Sequence, residues 1–153
     1  MAYRRILVPV DYSENSKPAV LLAADFAHRF GAELEFVHVW DRPSYVTDAV
    51  MVRHPGGEQR SLLEMVGENA ERDMRDYLAS LTLPSGLKSS HRLLSGEPAS
   101  TLLKELGTGH YDLCVVGTHG RTGFAHLLMG SVAEKLVRLS PVPVLTVPLP
   151  GRS

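Results

Sequence analysis

The sequence has little of what an extracellular, membrane-embedded or nucleic-acid-binding protein needs. One cysteine among 153 residues excludes an internal disulfide and every cysteine-based metal motif. A net charge of −1 gives no general attraction to nucleic acid or to an acidic membrane surface. No apolar run approaches the ~18 residues of a membrane span, and the apolar stretch near the N-terminus is too short for a signal peptide. We therefore expect a cytoplasmic protein without nucleic-acid or membrane partners.

Short apolar runs alternate with segments of helical periodicity along the chain. Strands are predicted at 3–10, 34–40, 87–95, 113–116 and 142–147, and helices at about 18–30, 61–81, 98–106 and 131–139. This alternation predicts an α/β fold, a doubly wound parallel five-stranded sheet with helices on both faces. The third strand is polar and the last is bracketed by Pro143 and Pro148, so both are expected at sheet edges.

The length and the single pattern predict one domain over residues 1–153. Residues 41–60 are polar and contain two prolines and two glycines, and this segment is long for a loop in a compact domain. We expect it to be flexible, either as a functional flap or as a partly disordered loop. Cys114 lies inside a predicted strand and is expected to be buried and inert.

A glycine-rich stretch follows the fourth predicted strand. Gly117, Gly120 and Gly130 are separated by two and nine residues, and Ser131 opens a helical pattern directly after the third glycine. Glycine lets a ligand approach the main chain closely, and the free N–H groups of a helix's first turn attract an anion. The stretch therefore indicates a phosphate site for a nucleotide.

Several other glycine-rich sites can be compared with this stretch. The chain has no GxxxxGK[ST] motif and no GxGxxG motif, so the phosphate loop of the common triphosphatases and the dinucleotide fold are disfavoured. The sequence GTHG resembles the GxxG loop of an RNA-binding module, but the net charge of −1 argues against that alternative. The seven histidines do not repeat at a spacing of four, so no metal site of the protein's own is indicated.

Four segments together resemble the nucleotide-binding branch of the universal stress protein family. They are PVDYS at 9–13, HVWD at 38–41, VVGTHGRTG at 115–123 and GSVAEKLV at 130–137. The resemblance covers nearly the whole chain, and the spacing G-x2-G-x9-G-S is specific to it. It implies the sheet order 3-2-1-4-5, which agrees with the edge positions inferred above. In that order the first and fourth strands are neighbours at a topological switch point, where open α/β sheets bind ligands.

The resemblance implies that the nucleoside half of an adenine nucleotide lies at this switch point. Asp11 would accept hydrogen bonds from the ribose hydroxyls, with capping of the following helix as its alternative role. The main chain of Val39 would contact the edge of the adenine. The remaining residues of this half are Pro9 and Val10 beside the adenine and Val116 and Gly117 along the nucleoside. Plain core packing stays open as the role of the valine and proline side chains.

The resemblance also implies a phosphate half that is built mainly from main-chain N–H groups. The ligand would be ATP, with ADP and AMP left open, and Mg²⁺ or Mn²⁺ would be carried by the phosphates. The Ser131 hydroxyl would add a donor, with simple N-capping as its alternative role, and Arg121 suits a phosphate better than His119 does. The residues of this half are His119, Gly120, Arg121, Gly130, Ser131 and Val132.

Three functions are compatible with such a site. The first is a regulatory switch in a stress response, in which ATP binding is read by an unknown protein partner. The second is a slow ATPase or phosphotransferase, for which Asp11, His119 and Glu134 are available, but none has a spacing that indicates a catalytic residue. The third is a dimeric interaction module without nucleotide. We favour the switch.

The last predicted strand also indicates how the chain assembles. Residues 142–147 are very apolar for an edge, and an apolar edge invites pairing with another chain. We expect a homodimer paired through this strand, because two-fold dimers are the commonest oligomers.

Overall fold

The computed structural model describes residues 2–119 and 129–150. Their contacts divide the chain into two compact units, one made of the residues up to 40 together with those from 82 onward, the other of residues 41–81. The elements in chain order are β1 Arg5–Pro9, α1 Lys17–Phe30, β2 Glu33–Trp40, β3 Met51–Arg53, β4 Gln59–Ser61, α2 Leu62–Ala79, β5 Ser89–Ser95, α3 Pro98–Leu106, β6 Leu113–Gly117, α4 Ser131–Leu139 and β7 Val144–Val147.

The first unit contains a five-stranded parallel sheet in the order β5-β2-β1-β6-β7. Counted without β3 and β4, which form a separate sheet, this is the predicted order 3-2-1-4-5. The fold class and the two edge strands are therefore confirmed. Strands β1 and β6 contain continuous apolar runs because helices cover both faces of a parallel sheet, and Ile6, Leu7 and Val8 are fully buried.

Helix α1 buries one face of small residues against the sheet. Its buried side chains are Ala19, Val20, Ala23, Ala24 and Ala27. The helix ends at Gly31, which has a φ of 65° and donates its N–H to the His28 carbonyl. Glycine takes this left-handed conformation without strain, so the predicted C-terminal stop is confirmed.

The second unit includes residues 41–60, for which we predicted a flexible flap or a partly disordered loop. Strands β3 and β4 form an antiparallel hairpin in which Val52 pairs with Arg60. In its turn the His54 N–H donates to the Glu58 carbonyl and the Gly57 N–H donates to the His54 carbonyl, each at 2.8 Å, and Gly57 has a φ of 89°. The Ser61 hydroxyl then caps α2 by accepting a hydrogen bond from the Glu64 N–H at 3.1 Å. The segment thus contains regular structure that its polar composition did not indicate.

Cys114 is buried, as predicted. Its side chain is fully buried in β6, and this burial raises the pKa of the thiol to about 12. A thiol that stays protonated is a poor nucleophile and metal ligand. In the described part of the chain, no helix combines the length and the hydropathy needed to cross a bilayer.

Candidate functional site

The candidate site lies beyond the carboxyl ends of β1 and β6. These two strands are neighbours in the sheet, and Leu7 pairs with Cys114. From β1 the chain continues to β2 on one side, whereas from β6 it continues to β7 on the other side. This is the switch point that the sheet order predicts. A β-carbon added at Gly117 would lie 3.5 Å from the Asn15 carbonyl oxygen and 3.7 Å from the Ser16 Cα. The end of β6 therefore lies against the loop that joins β1 to α1.

The loop after β1 is organised around the carboxylate of Asp11. One of its oxygens accepts hydrogen bonds from the Ser13 N–H at 3.0 Å and from the Ser13 hydroxyl at 2.6 Å. Tyr12, between them, has a φ of 63°. Helix α1 begins only at Lys17, with Ser16 at its N-cap position. Asp11 thus stabilises a local turn rather than the start of the helix, so its predicted alternative role as a helix cap is wrong.

Thr118 connects three elements at the end of β6, and sequence reasoning did not single it out. Its N–H donates to the Val147 carbonyl at 3.0 Å, and its own carbonyl accepts a hydrogen bond from the Gly130 N–H. Its side chain lies 2.9 Å from the imidazole of His119, and both residues are buried. The predicted site residue His119 is therefore held by a buried polar contact. The sequence signals this contact between Thr118 and His119 only by placing the two residues directly after an apolar strand.

Helix α4 begins with a cap residue that has no side chain. Gly130 is the N-cap, in an extended conformation with a φ of −69° and a ψ of 162°, and it makes no side-chain cap bond. Its carbonyl accepts the Glu134 N–H at 2.9 Å. Ser131 is the first helical residue and is exposed. The alternative role of Ser131 as N-cap is therefore wrong, because the helix starts one residue earlier than such a cap requires.

The start of α4 consequently has donors that no cap side chain satisfies. The first N–H groups of any helix lack an intrahelical acceptor, and here these are the groups of Ser131, Val132 and Ala133. Together with the positive end of the helix dipole, they form a position suited to an anion. Glu134 also lies in this first turn, but its carboxylate is paired with Arg138 at 3.2 Å.

Apolar residues of the predicted nucleoside half belong to the core. Val116 is part of a buried cluster, and Val39 packs against it, as does Val132 of the predicted phosphate half. Val10 is also buried, and Pro9 at the end of β1 is half-buried. The buried side chains of Val10 and Val116 fit the core-packing alternative, so any contact of these two residues with a ligand would involve the main chain. The predicted residues Gly120 and Arg121 lie outside the described residues.

The described residues hold no cluster of three histidine, cysteine, aspartate or glutamate side chains that could bind a metal ion.

The model of the universal stress protein family matches residues 2–148. The chain belongs to the universal stress protein family. It is 29% identical over 153 residues to universal stress protein MJ0531 of Methanocaldococcus jannaschii, and the alignment covers 98% of this chain and 85% of that protein.

Solved structures of this family share the fold. The structure of MJ0577 from M. jannaschii matches this universal stress protein with a TM-score of 0.70 and 26% identity, over 99% of this chain and all of that one. A universal stress protein solved in complex with cAMP matches with a TM-score of 0.63 and 24% identity, over 96% of this chain and 98% of that one.

Proposed function

We propose that this universal stress protein binds an adenine nucleotide, with ATP as its preferred ligand, beyond the ends of β1 and β6. The observation that carries the proposal is the start of α4, where the N-cap Gly130 has no side chain to accept from the first-turn N–H groups. The switch point is the usual ligand position in such sheets. The family relative in complex with cAMP supports an adenine nucleotide as the ligand.

Each half of the nucleotide then has a distinct set of contacts. The phosphates would accept hydrogen bonds from the first turn of α4, with the Ser131 hydroxyl, Gly120 and Arg121 contributing. Asp11 would accept hydrogen bonds from the ribose, and the main chain of Val39 would contact the adenine edge. His119 would lie beside the phosphates. Mg²⁺ or Mn²⁺ would be held by the phosphate oxygens rather than by a site of the protein's own.

In this proposal the protein is a regulatory switch in a stress response rather than an efficient enzyme. ATP would favour one arrangement of the segment between β6 and α4, and a protein partner would recognise the difference. We also propose that residues 1–153 form one domain, since the family model spans both units without interruption. The single cysteine supports a cytoplasmic location.

The direct test is to identify the small molecules that purified protein releases on denaturation and to titrate the emptied protein with ATP and magnesium. We expect one adenine nucleotide per chain and saturable ATP binding. Incubation before release would reveal any decay of ATP to ADP, which separates the switch from a slow ATPase. A protein that is empty and has no measurable affinity for ATP would instead be an interaction module.

We further propose a homodimer paired through residues 142–147, and the position of β7 at the edge of the sheet supports it. Two apolar residues of the adjacent α4, Val137 and Leu139, are 49% and 56% exposed. The Val147 carbonyl accepts the Thr118 N–H, so the main-chain groups of Val147 face β6. Successive residues of a strand direct their main-chain groups to opposite sides, so the N–H and carbonyl of Thr146 point away from β6. In the proposed dimer these outward groups pair with the same strand of a second copy.

Replacing Thr146 by proline should convert the dimer into a monomer, because it removes an outward N–H group without breaking a bond to β6. Light scattering at micromolar concentration should give twice the 16.8 kDa chain mass for the wild type and one chain mass for the variant. Leu21→Lys, at an apolar α1 residue that is 38% exposed, is the control and should stay dimeric. A monomeric wild type would contradict the proposal.

A further inference from the structure

His38 ends the hydrogen-bond ladder between β1 and β2. The last main-chain bond described between the strands runs from the Val10 N–H to the Val37 carbonyl at 2.9 Å. In a continued parallel ladder the Val10 carbonyl would next accept the Val39 N–H. It lies instead 2.6 Å from Nδ1 of His38. A carbonyl oxygen only accepts, so Nδ1 carries the proton and the imidazole donates this bond.

This replacement leaves the main chain of Val39 facing the space beyond β1. In a parallel strand the N–H and C=O of one residue point to the same neighbouring strand, and successive residues alternate. Val37 faces β1, so His38 faces β5 and Val39 faces the side of β1 again. There the chain has already turned away at Asp11. The Val39 amide is thus directed towards the proposed adenine position while its side chain packs in the core.

The same imidazole supports the turn that presents Asp11. The rings of Tyr12 and His38 are stacked, with centroids 4.3 Å apart and an interplanar angle of 29°. Among the residues that the structure describes, Tyr12 alone has a positive φ without being glycine. Such a conformation is strained for a residue other than glycine and persists only where its surroundings hold it. The stack on His38 is a contact that holds it.

We propose that His38 is a positioning residue for the nucleoside half of the site. By binding the Val10 carbonyl it keeps the Val39 amide available for the adenine edge, and by stacking on Tyr12 it fixes the turn that carries Asp11. Without the imidazole donor, the Val39 N–H would bond to Val10 and be lost to the ligand. This inference rests on the proposed nucleotide site and assigns to His38 no contact with the ligand itself.

Two substitutions separate the two contacts of the imidazole. His38→Phe keeps a ring for the stack with Tyr12 but removes the donor to Val10. His38→Asn keeps a side-chain N–H near the position of Nδ1 but removes the ring. Adenosine and inorganic triphosphate, titrated separately by calorimetry, report on the two halves of the site. A general structural defect would weaken both ligands, whereas loss of positioning weakens adenosine alone.

We expect His38→Phe to bind adenosine about tenfold more weakly than the wild type, equivalent to ~1.4 kcal/mol, with triphosphate affinity within about twofold. His38→Asn should lose only about threefold for adenosine, because it retains a donor. Unchanged adenosine affinity in His38→Phe, or equal losses for both ligands, would overturn the inference. Should His38→Phe not fold, a folded His38→Asn that loses adenosine affinity tenfold or more contradicts the donor role just as well.

These measurements also distinguish the inference from the function on which it rests. A wild-type protein that binds neither adenosine nor ATP refutes the nucleotide site as a whole. A wild type that binds ATP, together with a His38→Phe variant that keeps full adenosine affinity, refutes only the role of His38.

Discussion

Gly130→Val should abolish ATP binding and leave the fold intact. The valine side chain would occupy the space in front of the first turn of α4, where the phosphates need close access to the main chain. The backbone at Gly130 has a φ of −69° and a ψ of 162°, an extended conformation that valine adopts readily. We expect the affinity for ATP to fall by at least about a hundredfold, or ~2.7 kcal/mol, in calorimetric titration with magnesium.

The matched control for this variant is Gly67→Val. Gly67 lies within α2, and a β-carbon there meets no atom within 4 Å. The same chemical change should therefore leave ATP affinity unaltered. Circular dichroism and thermal unfolding must show native structure in both variants. If the folded Gly130→Val protein binds ATP with wild-type affinity, the phosphates do not bind at the start of α4 and the proposed site is refuted.

Glu35→Ala should be among the most destabilising single substitutions in the chain. Glu35 is 2% exposed in the middle of β2. Its carboxylate accepts hydrogen bonds from the Tyr111 hydroxyl, from the Arg5 guanidinium at 3.2 Å and from the Ser90 hydroxyl at 3.4 Å. Burial and the neighbouring Glu35 and Glu105 carboxylates raise the pKa of Tyr111, so its phenol stays protonated and donates.

Alanine at this position removes the buried acceptor that Tyr111, Arg5 and Ser90 share. Tyr111 keeps a hydrogen bond to Glu105 at 3.0 Å and Ser90 keeps one to Glu33 at 3.5 Å, but no carboxylate then lies among the three side chains. Removing one member of a buried pair costs 3–5 kcal/mol, and the low end applies because the Arg5 side chain is 35% exposed. We expect a loss of ~3 kcal/mol in the free energy of unfolding, which lowers the melting temperature by about 6–12 °C in a protein of this size. Urea unfolding and a thermal scan at pH 7 measure both quantities.

Glu33→Ala provides the matched comparison for Glu35. Glu33 lies two residues earlier on the same strand, 3.9 Å from the same Arg5 nitrogen, but its side chain is 44% exposed. Exposed ion pairs contribute ~0–1 kcal/mol, so this variant should be nearly as stable as the wild type. Equal losses in the two variants would show that burial of the carboxylate is not what makes Glu35 important.

Much of the sheet was predictable because the burial of each strand determines which residue types it contains. A strand covered on both faces must be apolar throughout, as residues 6–8 and 113–116 are. Edge strands tolerate polar residues and prolines, which is why residues 87–95 and 142–147 were assigned correctly to the edges. The hairpin of β3 and β4 could not be predicted in this way, because each strand has only three residues and main-chain bonds hold the pair.

The candidate site was predictable only as a set of strand ends. The positions of Asp11 and Gly117 follow from the sheet order, but the contacts that shape the site do not. Tyr12 adopts a positive φ where the sequence offers no glycine to indicate it. The imidazole of His38 replaces a ladder bond, a choice that depends on three-dimensional geometry rather than on spacing. Serine favours the N-cap position, which is why Ser131 was a candidate cap, whereas the N-cap is Gly130 and Ser131 is the first helical residue.

The two main-chain bonds of Thr118 have a thermodynamic consequence. One joins it to Gly130 at the start of α4 and the other to Val147 at the end of the edge strand. A ligand that displaces Gly130 therefore acts on the strand proposed to hold the second copy. If nucleotide tightens self-association by some factor, self-association must tighten nucleotide binding by the same factor. Affinity for the nucleotide would then depend on how much of the protein the cell makes, so that abundance itself becomes an input to the response.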